Sequence, residues 1–200
     1  MGFHGRVPVG FAALCAIWAV ACAGDSGPAA TDTTYTLSCP AAPASCGALA
    51  ENTCLRPDGA AEGSRELFLI DDEIACDGDQ AVVICEVAEA SDGRRILNLE
   101  TSVGNSFGFE VRVVVGAEDS MISGSCDVTV VENGLAYGGS LGGCGIEDPT
   151  PEQPCKLSNF SVGGSDGADI SFDVICEDLV SPTAVTGFDV NGTVRYARCD

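Results

Sequence analysis

Beyond residue 65 the chain is a succession of short runs in which apolar and polar residues take turns, punctuated by Gly, Asn, Asp and Pro. In 107–115, Phe107, Phe109, Val111 and Val113 alternate with Gly108, Glu110, Arg112 and Val114. In 169–176, Ile170, Phe172, Val174 and Cys176 alternate with Asp169, Ser171 and Asp173. A two-residue period sends successive side chains to opposite faces, so each run predicts a strand with one face buried. The same reading predicts strands at 66–70, 80–88, 96–101, 125–131, 136–140, 156–162, 185–190 and 193–198. Ser91-Asp92-Gly93 and Gly104-Asn105-Ser106 supply turns. Asn133-Gly134 and Asn191-Gly192 each predict a two-residue hairpin, because both centres of a type I′ turn need positive φ. Pro149, Pro151 and Pro154 mark a crossing loop, and no stretch carries a helical period. Eight to ten strands with short turns predict an all-β fold, here an antiparallel β-sandwich.

The first third reads differently. Residues 37–64 hold Cys39, Cys46 and Cys54 among Pro, Ala and Gly, predicting a loop-rich portion ordered by crosslinks. Residues 22–36 are small and polar and predict a flexible tether, leaving 37–200 as one disulfide-rich β domain. Before them, 7–22 (VPVGFAALCAIWAVAC) is an apolar run behind a head with one cation, Arg6. It is too short to span a bilayer, which takes about 20 residues. It has the form of a secretory signal peptide, residues 1–21, ending in Ala19-Val20-Ala21.

Because Cys22 follows those small residues, the segment resembles the lipobox of bacterial lipoproteins. The resemblance implies cleavage before Cys22, acylation of its thiol, and, with Ala23 next, sorting to the outer membrane. The same Ala19-Val20-Ala21 satisfies ordinary signal-peptidase cleavage, which would leave the protein secreted. Cysteine parity bears on the choice. Of 12 cysteines, Cys15 leaves with the signal and acylation uses Cys22. The remaining ten (Cys39, Cys46, Cys54, Cys76, Cys85, Cys126, Cys144, Cys155, Cys176 and Cys199) form an even set. Scattered even cysteines in an exported chain predict disulfides, and no C-x-x-C knuckle suggests a thiolate metal site. If 155–176 folds as a symmetric hairpin, Cys155 meets Cys176; closing the hairpin at Asn133-Gly134 puts Cys126 opposite Leu141, three residues from Cys144. Bridges 155–176 and 126–144 are therefore expected.

The full chain carries 30 acidic residues, a net charge of −21, one His and one Trp. His4 and Trp18 fall within the signal, so the processed chain lacks both. Lacking His, it has no Ser-His-Asp or Cys-His nucleophile system and no imidazole ligands for zinc. The negative field opposes nucleic acid, whose phosphates are bound by Lys and Arg. Asp71-Asp72-Glu73, with Asp77 and Asp79, is the densest acidic group, and hard oxygen ligands suit Ca²⁺. The calcium-loop pattern D-x-[DN]-x-[DN]-G is absent, so a solvated turn is expected there and at 165–169. Phe107, Phe109, Phe160, Phe172 and Phe188 fall in strand patterns and are expected in the core, with Tyr137 and Tyr196 at the rim or in the core. Asn159-Phe160-Ser161 and Asn191-Gly192-Thr193 match the glycan-acceptor pattern.

The cysteine-braced hairpins, with runs SCDVTVVENGLAYGGSLGGC and PCKLSNFSV, resemble a group of acidic disulfide-rich lipoproteins of unassigned function from myxobacteria. The likeness carries no catalytic residues with it. The expectation is a non-enzymatic binding or structural module on a lipid anchor. It needs no cofactor or metal, its contacts are the membrane and an envelope protein or glycan, and nucleic acid is excluded. The alternative is a lipid-anchored carboxylate-dependent glycoside hydrolase or a calcium-dependent carbohydrate-binding protein.

Overall fold

Among the described residues ten strands make one continuous sheet. In the computed structural model they are β1 (Ala30–Ser38), β2 (Ser64–Ile70), β3 (Ala81–Glu89), β4 (Arg95–Val103), β5 (Phe107–Val115), β6 (Ile122–Glu132), β7 (Leu135–Gly145), β8 (Cys155–Gly163), β9 (Ala168–Val180) and β10 (Gly187–Cys199). The structure describes residues 27–39, 55, 59, 63–116, 122–163, 168–183 and 187–200; the apolar run, Cys22, Cys46 and Cys54 lie outside them. The strand order is β2-β1-β10-β9-β8-β7-β6-β5-β4-β3. Neighbours are antiparallel except β7 and β8, which pair in parallel at Cys144–Cys155 and Gly145–Lys156.

The all-β expectation holds, and the sandwich is corrected: the sheet curls toward a barrel. Its two end strands approach at a seam where β3 takes its partners from short segments. The Asp72 N–H donates to the Ala81 carbonyl (3.1 Å), the Ala81 N–H to the Glu73 carbonyl (2.8 Å), and the Val83 N–H to Asp71 Oδ1 (2.9 Å). Further along, the Val87 N–H donates to the Asp200 carbonyl (2.6 Å) and the Asp200 N–H to the Cys85 carbonyl (3.0 Å). The Cys85–Cys199 disulfide clips the two segments together. Alternation dictates that one face is buried; it does not dictate whether that face meets a second sheet or, after ten twisted strands, itself.

The inner face is filled. Leu67, Leu97, Leu99, Phe109, Phe172 and Leu179 are fully enclosed. Tyr35 packs on Phe109 (5.6 Å between centroids), Tyr137 edge-on against Phe188 (4.8 Å), and Phe160 stacks on Phe172 (4.7 Å). Phe188, Tyr137 and Tyr196 are buried, and Phe107 and Phe160 are half-buried against the core.

Three findings revise or sharpen the strand assignments. First, the stretch expected as tether holds most of β1, which sits between β2 and β10. Thr31, Thr33, Tyr35 and Leu37 face inward and are buried. The threonines pass for polar, yet their hydroxyls are satisfied locally: Thr31 Oγ1 lies 2.8 Å from Thr33 Oγ1 and donates to the Arg195 carbonyl (2.9 Å). Second, Asn133-Gly134 makes the hairpin, with φ of 52° and 74°, but Asn191-Gly192 does not turn. β10 runs unbroken through it, replacing the two strands expected at 185–190 and 193–198. Gly192 is needed for close approach: a Cβ there would lie 2.3 Å from the Thr34 carbonyl oxygen and 2.6 Å from Tyr35 Cβ. Gly192→Ala is therefore expected to cost about 1–3 kcal/mol, the usual range for overpacking. Gly163→Ala, where a Cβ meets nothing within 4 Å, should leave the melting temperature nearly unchanged. Equal thermal shifts for the two variants would refute the close-approach account.

Third, both expected bridges are present, 126–144 and 155–176; Cys39 and Cys76 are disulfide-bonded as well. The 155–176 pair forms as the hairpin predicts, with the two cysteines in register. The 126–144 pair is brought about differently. Between Thr129–Gly138 and Asp127–Gly143 the β6–β7 register slips, and the extra glycine-rich residues of β7 form a bulge. That slip carries Cys144 back to Cys126. Gly138 and Gly142 allow it, since a Cβ on either would fall about 2 Å from the Val128 carbonyl oxygen.

Candidate functional site

Because the inside is occupied by side chains, recognition chemistry has to be sought on the outer wall. Two open grooves lie side by side on the outer face of β1, β10, β9 and β8, of about 630 Å³ and 660 Å³. Both exist because the outward positions of these strands carry short side chains. The register sets them in rows. Thr34 opposes Thr193, Thr193 opposes Asp173 and Asp173 opposes Ser158. The next row runs Thr36, Asn191, Ile175.

Asp173 is the centre of the larger groove. Its Oδ2 accepts from Asn159 Nδ2 at 2.6 Å and its Oδ1 from Thr193 Oγ1 at 2.9 Å. Asn159 reaches it because a bulge between Ser158 and Ser161 inserts an extra residue into β8, and Asn159 takes φ of 55° there. Two donors on opposite oxygens fix the plane of the carboxylate, while each oxygen keeps a lone pair for a further donor. In the second groove Arg195 and Asp32 form a loose exposed pair at 3.9 Å, worth about 0–1 kcal/mol at most. Hydroxyls, an amide and a fixed acceptor on a pleated wall match a polar, hydroxyl-bearing ligand.

The acidic residues singled out by sequence do not gather there. Asp71 spends its carboxylate on the Val83 amide and Asp72 on Gln80 Nε2 (3.3 Å), so they build the turn that closes the seam. Glu73 and Asp79 are exposed beside it, and the Asp77 side chain lies outside the description. Among the described residues no three His, Cys, Asp or Glu side chains are placed to hold a metal ion. Of 165–169, only Asp169 has a described side chain, at the rim of the smaller groove. The two acceptor-pattern asparagines, Asn159 and Asn191, both line the larger groove.

Sequence reasoning missed the largest polar feature of the interior. Arg65 on β2 and Glu132 on β6 form a forked ion pair with side chains 1% and 2% exposed, Arg65 Nε donating to Glu132 Oε2 at 3.2 Å. The Arg65 Nη1 also donates to the Ser64 carbonyl (3.0 Å). The Tyr35 hydroxyl lies near this pair with no hydrogen-bond partner among the described residues; burial, reinforced by the Glu132 charge, pushes its ionisation well above the usual tyrosine range. Burial raises Tyr196 likewise, and its hydroxyl lies 2.7 Å from Thr101 Oγ1. The available signal was alternation: Arg65 stands at the inward phase of Leu67, and Glu132 at that of Val128 and Val130.

Comparison of the chain with protein-family models, curated proteins and solved structures finds no match.

Proposed function

We propose that the protein is an exported envelope lipoprotein, anchored through Cys22 at the outer membrane, that acts as a non-enzymatic binding module. Its binding face is the outer wall of β1, β10, β9 and β8. Disulfides spread around the barrel support an oxidising compartment. The observation that carries the binding reading is the Asp173 carboxylate, fixed by Asn159 and Thr193 in a groove while retaining lone pairs for a ligand. The same arrangement favours a ligand that donates hydrogen bonds, such as a hydroxyl-rich glycan, over an anionic one.

A photo-crosslinking residue at Asn191 should give one discrete adduct in the native envelope, whereas the same residue at Ile96, on the β4 wall, should give none. Asp173→Ala should abolish the adduct and weaken any hit on a glycan array about tenfold, the loss of one to two hydrogen bonds. It should leave the melting temperature close to wild type. Equal labelling at Asn191 and Ile96 would sink the assignment of the face. Glycan binding indifferent to Asp173 would remove the role of its carboxylate.

A further inference from the structure

We propose that the seam of the barrel is a second membrane contact, a small apolar patch that rests on a zwitterionic lipid surface beside the anchor. The proposal rests on the lipid-anchor reading and adds to it an orientation. β1 begins at Ala30, so the chain available as a tether is short: Cys22 precedes Ala29 by seven residues. Fully extended, they reach at most roughly 25 Å. The place where they join the barrel is the seam, since the Asp71 N–H donates to the Ala29 carbonyl at 2.9 Å. An acyl chain on Cys22 therefore holds this side of the barrel against the bilayer.

That side carries the apolar residues a soluble wall is expected to avoid. Phe68 is 59% exposed, Ile74 70% and Val82 39%. Phe68 and Ile70 stand in the outward phase of β2 beside Glu66, and Val82 and Ile84 in that of β3 beside Glu86, since Leu67, Val83 and Cys85 point inward. The Asp71–Val83 hydrogen bond brings the two strands together, and Ile74 projects from the connecting turn, paired through its backbone with Gln80. Single exposed apolar residues are ordinary; here three of them lie on the two strands and the turn that close one seam. Asp72, Glu73 and Asp79 flank the patch and are exposed. Their charge disfavours an anionic surface, which selects the zwitterionic one.

The test uses tryptophan as a depth reporter, because the one Trp of the chain, Trp18, leaves with the signal. Ile74→Trp and Phe68→Trp place reporters at the patch. Ile146→Trp, exposed beside the β7–β8 junction, is the control, as the strand order puts β7 and β8 farthest from the seam. Each full chain is expressed in a cell that processes lipoproteins, its mass is measured, and it is reconstituted into phosphatidylcholine vesicles with brominated acyl chains. We expect an acylated N-terminus, blue-shifted and quenched emission from positions 74 and 68, and unquenched emission from position 146. Replacing part of the phosphatidylcholine by phosphatidylglycerol should weaken the quenching; no weakening would overturn the zwitterionic preference. An acylated protein whose reporters at 74, 68 and 146 are quenched alike, or not at all, would overturn the contact while leaving the anchor standing. A chain cleaved without acylation would overturn the anchor itself, and the contact with it.

Discussion

Glu132→Leu should lower the free energy of unfolding by about 3–5 kcal/mol, because it leaves the Arg65 guanidinium charged and unpaired in an apolar interior. Both side chains are almost wholly enclosed, so water cannot replace the lost carboxylate. A typical domain is stable by only about 5–15 kcal/mol, so the loss takes a large share of the total. The double variant Arg65→Met/Glu132→Leu separates the cost of a stranded charge from the worth of the pair. Well-packed apolar substitutes for a buried ion pair are often neutral or stabilising, and the double variant should recover most of what the single one loses. Equilibrium urea denaturation with the disulfides intact measures both. A single variant within about 1 kcal/mol of wild type would show that the pair is not desolvated as described. A double variant as unstable as the single one would show that the fork itself, joining β2 to β6 across the interior, carries the stability.

The Cys85–Cys199 bridge should have an effect of similar size through a different cause. It joins residues 114 apart in sequence, and closing a loop of about 100 residues constrains the unfolded chain by roughly 4–5 kcal/mol in the chain-entropy account. Two shorter bridges, 126–144 and 155–176, lie within that loop. They shorten it in the unfolded state, but loop entropy is logarithmic in length and the correction is only on the order of a few tenths of a kcal/mol. Cys85→Ala/Cys199→Ala should therefore lose about 3–5 kcal/mol. The folded state should change locally too, because the bridge guards the hydrogen bonds between β3 and Asp200. Amide exchange at Val87 should accelerate more than exchange at Leu97 or Val111, deep in β4 and β5. Uniform acceleration would mean that the bridge acts on global unfolding alone and does not hold the seam.

Much of this architecture is legible in the chain. The alternation in 107–115 and 169–176 reads directly as half-buried strands, and Asn133-Gly134 as the turn it proves to be. The 155–176 bridge follows from hairpin symmetry. Where reading failed, the same residue types serve two purposes. Thr31 and Thr33 look polar in a stretch that reads as a tether, whereas β-branched side chains with locally satisfied hydroxyls fit the inner face of β1. Asn191-Gly192 looks like a turn because positive φ is the commonest reason for glycine; here the reason is the nearness of the Thr34 carbonyl. The turn expected at Asp71 and Asp72 is present; what no local pattern announces is that their carboxylates accept from the Val83 amide and from Gln80 across the seam. The groove was invisible for a related reason: Asn159, Asp173 and Thr193 come from three strands and meet only through a β8 bulge that no local pattern announces.

By itself, the order of residues determined that this is an all-β chain of about ten strands, braced by cysteines, acidic, with Phe109, Phe172 and Phe188 inward. Those properties depend on each residue's own preference for water and on the two-residue period of a strand, both local. Only the tertiary structure decided that one sheet curls on itself, that β1 belongs to it, that Arg65 meets Glu132, and that Asp173 acquires two fixed donors. Each of those depends on register and curvature summed over many strands, and a shift of one residue anywhere along the sheet would change which side chains meet.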